Sequence, residues 1–291
     1  MNDTELDCYL EAGRVAKAVL HSCAAEIKPG VLHTDIFDMV LDKFEAAGVS
    51  PSFPPNISIN ECAAHDTPSP VDDRVFAEGD LVKLDIGTHV EGYIADTAVT
   101  INLGDHEELC EAAQKALDAA ISVVKPELVV SEIGKVVEET ITSYGFKPIV
   151  NLTGHGLGRY SLHHGLSIPN TGLFGTGVLR NDSVIAIEPF ATTGSGSVHE
   201  ATRAEIYQVV GDAPVRSPTG RKILKKADEM CGLPFSRRWL GIPKAELAIP
   251  TLLKQGNLYD YHVLSDVAGS FVAQFEHTVI VTEDEPIVTT L

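Results

Sequence analysis

Four carboxylates stand where the chain otherwise reads as apolar strand. "VIAIEPF" (184–190) carries Glu188 behind Val184, Ile185, Ala186 and Ile187. "DLVKLDIG" (80–87) carries Asp85, "YIADTAVTI" (93–101) carries Asp96, and "AQFEHTVIV" (273–281) carries Glu276. One carboxylate at a strand end is ordinarily solvated or ion-paired. An ionised one inside the protein costs several kcal/mol unless it is partnered or bound to a metal. Four together carry four negative charges, which two divalent cations would neutralise. A donor set dominated by oxygen suits Mn, Co, Fe or Zn, provided at least one nitrogen joins it.

"NLTGHGLGRYSLHHG" (151–165) offers that nitrogen in His155, flanked by Gly154 and Gly156, which leave backbone room beside a site. Read as GxGxxG, the same glycines carry little weight, because no Rossmann strand-turn-helix pattern or downstream acid accompanies them. His65 in "NECAAHDTP" and His163 in "LHHG" are further candidates. Singly, each would more often be a satisfied structural histidine. His164 reads as structural, and Cys62 as packing.

The elements that must position these residues come in two copies. "IKPGVLHTDIFDMVLDKFEAAGVSP" (27–51) lies over "VKPELVVSEIGKVVEETITSYGFKP" (124–148) without a gap, at an offset of 97. Lys28, Pro29, Ile36, Gly48 and Pro51 fall on Lys125, Pro126, Ile133, Gly145 and Pro148. Ile36, Val40 and Phe44, like Ile133, Val137 and Ile141, form the apolar stripe of a helix. Thr34 and Ser131 are expected as N-caps, and Gly48 and Gly145 at the C-terminal ends. A further amphipathic helix precedes each unit, through Val15, Val19 and Cys23 in one and Leu109, Ala113, Leu117 and Ile121 in the other.

The repeat continues into the strands, placing Asp85 opposite Glu188 and Asp96 opposite Glu276. Each half, about 1–105 and 106–291, thus supplies two strand-borne carboxylates. The same offset brings His65 close to His163, so they should flank the cleft from opposite halves. A hairpin centred on "HVEG" (89–92) would set Asp85 directly across from Asp96, with Cβ atoms about 5 Å apart. In the second half, roughly 77 residues (about 192–268) interrupt the equivalent hairpin. Part reads as strand (201–210), and about 212–258 as a small helical subdomain broken by prolines and glycines.

The ordered set Asp85, Asp96, His155, Glu188 and Glu276, with "AAHDTP", "GHGLGRYSLHHG", "AIEPF" and "AQFEHT", resembles the type II methionine aminopeptidases. The resemblance runs from about residue 10 to 291. The short N-terminus is similar to that of archaeal members. It implies an α/β pita-bread fold: two pseudo-twofold halves, an antiparallel central sheet covered by helices, and a helical insertion. It implies removal of the initiator methionine from nascent chains with a small second residue, by a water activated between two divalent ions. Asp96, His155, Glu188 and Glu276 would hold one ion; Asp85, Asp96 and Glu276 would hold the other. Glu188 would also shuttle the proton, while His65 and His163 would bind the scissile peptide and stabilise its intermediate. Phe53, Leu162, Ile206 and Tyr261 would line the methionine pocket. A cytoplasmic monomer is implied, with the ribosome as a further contact.

Composition sets the outer bounds. The 291 residues suffice for one large domain, and 44% hydrophobic content is ordinary for a globular chain. A net charge of −19 disfavours nucleic acid and anionic membranes as direct partners. The acidic N-terminus, "MNDTELDCYLEAG", does not resemble a leader peptide. Five scattered cysteines without a CxxC pair read as reduced thiols. Two rivals share the fold: an Xaa-Pro aminopeptidase or prolidase, and a metal-free binding protein. The complete ligand set disfavours the second.

Overall fold

The computed structural model describes residues 1–173 and 175–291. The first half opens with helices α1 (Asp3–Ala24) and α2 (His33–Ala46). Strands β1 (Asn56–Ile59), β2 (Cys62–Ala64), β3 (Leu81–Val90) and β4 (Tyr93–Asn102) follow. The second half repeats the plan with α3 (Glu107–Ser122), α4 (Val130–Ser143), β5 (Thr153–Leu157), β6 (Ser167–Pro169), β7 (Val184–Ile187) and β8 (Phe190–Thr192). A long strand, β9 (His199–Val209), then leads into helices α5 (Pro218–Asp228), α6 (Arg237–Leu240) and α7 (Ala245–Lys254). The chain returns along β10 (Leu258–Ser265) and continues through β11 (Val272–Gln274) and β12 (His277–Ile280), whose edge takes the short strand Ile287–Val288.

Every ladder among the described residues is antiparallel. β3 lies between β1 and β4, and β7 lies between β5 and β12. β8 pairs with β11; β9 pairs with β10, whose far edge takes β2. The halves meet where β4 touches the start of β12, through the bridge between Ala98 and Glu276.

The helix stripes bury as their periodicity dictates. Ile36, Val40 and Phe44 join Val15, Val19, Leu84 and Ile86 in one core. Ile133, Val137 and Ile141 join Leu109, Leu117 and Ile185 in the other. The helices α5 to α7 pack around their own cluster, including Ile223, Phe235, Ile249 and Leu252.

The helix starts correct the sequence expectation. α2 and α4 begin at His33 and Val130, and their N-caps are Leu32 and Val129, which make no side-chain cap bond. Thr34 and Ser131 therefore lie inside the first turn. Antiparallel bridges from Leu32 to Val75 and from Val129 to Val178 hold these starts instead. The His33 N–H donates to the Arg74 carbonyl and the Val130 N–H to that of Gly177. A strand-like partner does the work of a capping side chain, and it does so at equivalent points of both halves. At the far ends, Gly48 and Gly145 adopt φ of 72° and 85°, as expected.

Candidate metal centre

Asp85 and Asp96 do not face each other directly. The ladder pairs Asp85 with Ala98 and Gly87 with Asp96. The turn contains only Glu91 and Gly92, with φ of 52° and 89°, and Val90 pairs with Tyr93. Left-handed geometry at both central residues is that of a tight hairpin, which centres one residue later than "HVEG" suggests. The displacement is two residues, so both carboxylates remain on one face as diagonal neighbours. Gly87 leaves the place opposite Asp96 to the Phe53 ring; a Cβ there would strike that ring.

In the second half, Ile187 and His277 form the last pair of the β7–β12 ladder. Glu188 and Glu276 are the next residues on each strand, so they leave the sheet at one point. Asp96 is 3% exposed and Glu276 is 2% exposed. His155 sits in β5, across from Ala186 on one side and Ser167 on the other. Its neighbour Gly156 lies against the His164 carbonyl so closely that no side chain would fit.

The donor atoms of Asp96, His155 and Glu276 all lie within 4.8 Å of one another. His155 Nε2 is 3.6 Å from Asp96 Oδ2 and 3.8 Å from Glu188 Oε1. Those separations are too long for hydrogen bonds. Burial pushes the His155 pKa down to about 3, with His163 adding to the effect, so the ring is neutral at pH 7. Its Nδ1 faces the Gly156 carbonyl at 3.3 Å, an acceptor, which puts the proton there. The Nε2 lone pair is left aimed at carboxylate oxygens.

Burial raises the Asp85 pKa to about 7. Burial first, then mutual repulsion, raises those of Asp96, Glu188 and Glu276 well above the carboxylate range. Asp85 Oδ1 and Asp96 Oδ1 are buried without a hydrogen-bond partner among the described residues. Converging lone pairs, orphaned oxygens and uncompensated negative charge are what a divalent cation would resolve. The residues fit such an ion.

Apolar groups line the same cleft. Phe53, Leu162, Ile206 and Tyr261 line it with Ala64 and Pro234. Ile206 pairs with Tyr261 across β9 and β10, and the Tyr261 hydroxyl donates to Gln208 Oε1 at 2.6 Å. His65 and His163 also line the cleft. His65 holds φ of 64°, sparsely populated for a residue with a Cβ. Its Nδ1 lies 3.1 Å from the His262 carbonyl, and burial lowers its pKa to about 4. The neutral ring therefore keeps its proton on Nδ1 and presents an Nε2 lone pair. The His163 ring stands edge-on to His155, with centroids 4.5 Å apart.

All eleven residues named from the sequence meet at this cleft. Sequence reasoning missed three others. The buried Gln274 donates from Nε2 to Glu188 Oε2 at 3.2 Å. Thr278 bonds the backbone of Asp96, and Asn56 lines the cleft beside Asp85. Gln274, Glu276 and Thr278 follow a period of two, a legible signal; Asn56 has none before the sheet is paired.

The chain belongs to the metallopeptidase family M24, which residues 7–283 match. It is 47% identical over 292 residues to the methionine aminopeptidase of Archaeoglobus fulgidus, covering 100% of both chains. It is 46% identical to that of Pyrococcus horikoshii, covering 98% of this chain and 99% of the relative. Among solved structures, the Thermotoga maritima methionine aminopeptidase aligns with a TM-score of 0.74 at 27% identity, over 100% of this chain and 98% of that one. The architecture is the pita-bread fold.

Proposed function

We propose that this chain is a metal-dependent methionine aminopeptidase that removes the initiator methionine from new polypeptides. The observation that carries the reading is the convergence of His155, Asp96 and Glu276 in a cleft that apolar side chains also line. Full-length identity of 47% to a methionine aminopeptidase favours this over the Xaa-Pro and binding-protein readings.

Asp96, His155, Glu188 and Glu276 would hold one divalent cation, and Asp85, Asp96 and Glu276 a second, with Asp96 and Glu276 shared. Such cations, Mn, Co, Fe or Zn, supply neutralising charge, a lowered pKa for water and polarisation of the scissile carbonyl. Glu188 takes the proton of the attacking water and passes it to the leaving amine. His65 can only accept at Nε2, so it orients the peptide by accepting its N–H. His163 donates to the oxygen on which negative charge develops. Phe53, Leu162, Ile206 and Tyr261 enclose the thioether side chain, which has no strong hydrogen-bonding group to satisfy.

The remainder of the peptide leaves along an adjoining cleft that shares His65, His163 and Glu188 and passes Thr153, Ser167 and Phe190. The two histidines line both clefts, which favours a small second residue beside them. No helix among the described residues is long and apolar enough to cross a membrane. The proposed enzyme is a cytoplasmic monomer acting on nascent chains near the ribosome, and the net charge of −19 disfavours direct contact with nucleic acid or anionic membranes. The test is hydrolysis of Met-Ala-Ser and Ala-Pro-Ser by chelated protein resupplied with each metal. Methionine release alone is expected; alanine release at a comparable rate would favour the Xaa-Pro reading.

A further inference from the structure

Asn56 on β1 lies directly across from Asp85 on β3. Directly paired residues project to the same face, and both line the cleft. Asn56 Nδ2 donates to the Pro54 carbonyl at 3.0 Å. A carbonyl can only accept, which fixes the orientation of the amide. Asn56 Oδ1 is thereby committed as an acceptor. It is closed to bulk water and has no partner among the described residues, in a side chain belonging to a residue only 5% exposed. Asp85 Oδ1 is orphaned in the same way.

A buried acceptor left unpaired is costly; Asp85 Oδ1 would face a cation, which leaves Asn56 Oδ1 as the acceptor that calls for an N–H donor. No side chain among the described residues supplies it. The methionine side chain carries no donor, so it cannot. The α-amino group of a peptide's first residue carries two or three.

We infer that Asn56 Oδ1 accepts a hydrogen bond from the substrate's free α-amino group, beside the proposed metal ligand Asp85. Asn56 is then a specificity-determining residue that restricts cleavage to unblocked N-termini. This rests on the aminopeptidase reading and adds a group to it: an amide that recognises the amine by its N–H bonds. A blocked or absent amine would leave the acceptor buried and unpaired, and that difference is the source of discrimination.

The test is calorimetric binding of two ligands to the metal-loaded enzyme: L-methionine, and 4-(methylthio)butanoate, which lacks only the amine. Asn56→Ala should weaken methionine binding by about ten- to a hundredfold, the range for a hydrogen bond to a charged group, and leave the analogue within about twofold. Asn56→Leu, which fills the volume without the acceptor, repeats the test should alanine lower stability. Equal loss for both ligands, no loss for either, or loss of bound metal in both variants would overturn the inference. Wild-type release of methionine from Met-Ala-Ser is measured alongside. If that release is absent, the aminopeptidase reading falls; if it is present and the variants keep their preference for methionine, only the role of Asn56 falls.

Discussion

Thr278 and Asp96 are joined twice: the Asp96 N–H donates to Thr278 Oγ1 at 2.8 Å, and that hydroxyl donates to the Asp96 carbonyl at 2.8 Å. One buried side chain thus fixes the backbone of a first-half carboxylate to a second-half strand. Thr278 is two residues beyond Glu276, so the contact sets the spacing of two proposed ligands. Thr278→Val keeps the shape and removes both bonds. It should destabilise the protein by about 1–3 kcal/mol and weaken metal retention, whereas Thr278→Ser should preserve both. Urea denaturation and metal analysis of the two variants check this; equal retention in valine and serine variants would contradict it.

Asp96 and Glu276 are proposed to serve both ions, and Glu188 to serve one ion and the proton. Asp96→Ala or Glu276→Ala should abolish methionine release and lower metal content. Two full metal equivalents in both variants would refute the shared-ligand assignment. Glu188→Gln should retain part of the metal while turnover falls by about 10²–10⁴. Turnover close to wild type would remove Glu188 from proton transfer.

His163 makes no hydrogen bond to the described residues, and its ring faces His155 and Tyr261. A donor to the developing oxyanion predicts that His163→Ala lowers kcat by roughly 10²–10³, with Tm and metal content little changed. A drop in Tm with normal kcat per folded molecule would make it a structural residue.

His33 offers a pH prediction away from the metal ligands. It is 1% exposed, stacked on Phe76 with centroids 4.5 Å apart, and neither ring nitrogen has a partner among the described residues. Burial, reinforced by Arg74, lowers its pKa from 6.5 to about 4. Between these values the unfolded chain takes up a proton that the folded one refuses, so stability falls as pH drops through this window. His33→Phe should make that decline shallower, read as the difference in urea midpoint between about pH 7 and pH 4.5. An unchanged difference would contradict it.

The repeat made much of this architecture legible, because helix stripes and terminal glycines are local signals and Gly48 and Gly145 fall where they were expected. The helix starts were not legible in the same way. Leu32 and Val129 are held by bridges to Val75 and Val178, partners 43 and 49 residues along the chain. The hairpin register was missed because Glu91, with no glycine-like signal, adopts positive φ beside Gly92. The carboxylates were found by their oddity in apolar strands, and His155 by its flanking glycines and the set's need for a nitrogen donor. Asn56 was not, since a short polar residue between Pro55 and Ile57 becomes informative only when Asp85 lies across from it.

The central claim is that the converging carboxylates bind divalent ions and that these drive methionine release. The most direct measurement is the rate of release from Met-Ala-Ser by chelator-stripped protein as one metal, Mn or Co, is added in known equivalents. No release is predicted without metal, followed by a rise that levels off by the second equivalent. Full-rate release from the stripped protein, or saturable metal binding with no release at any stoichiometry, would contradict the claim.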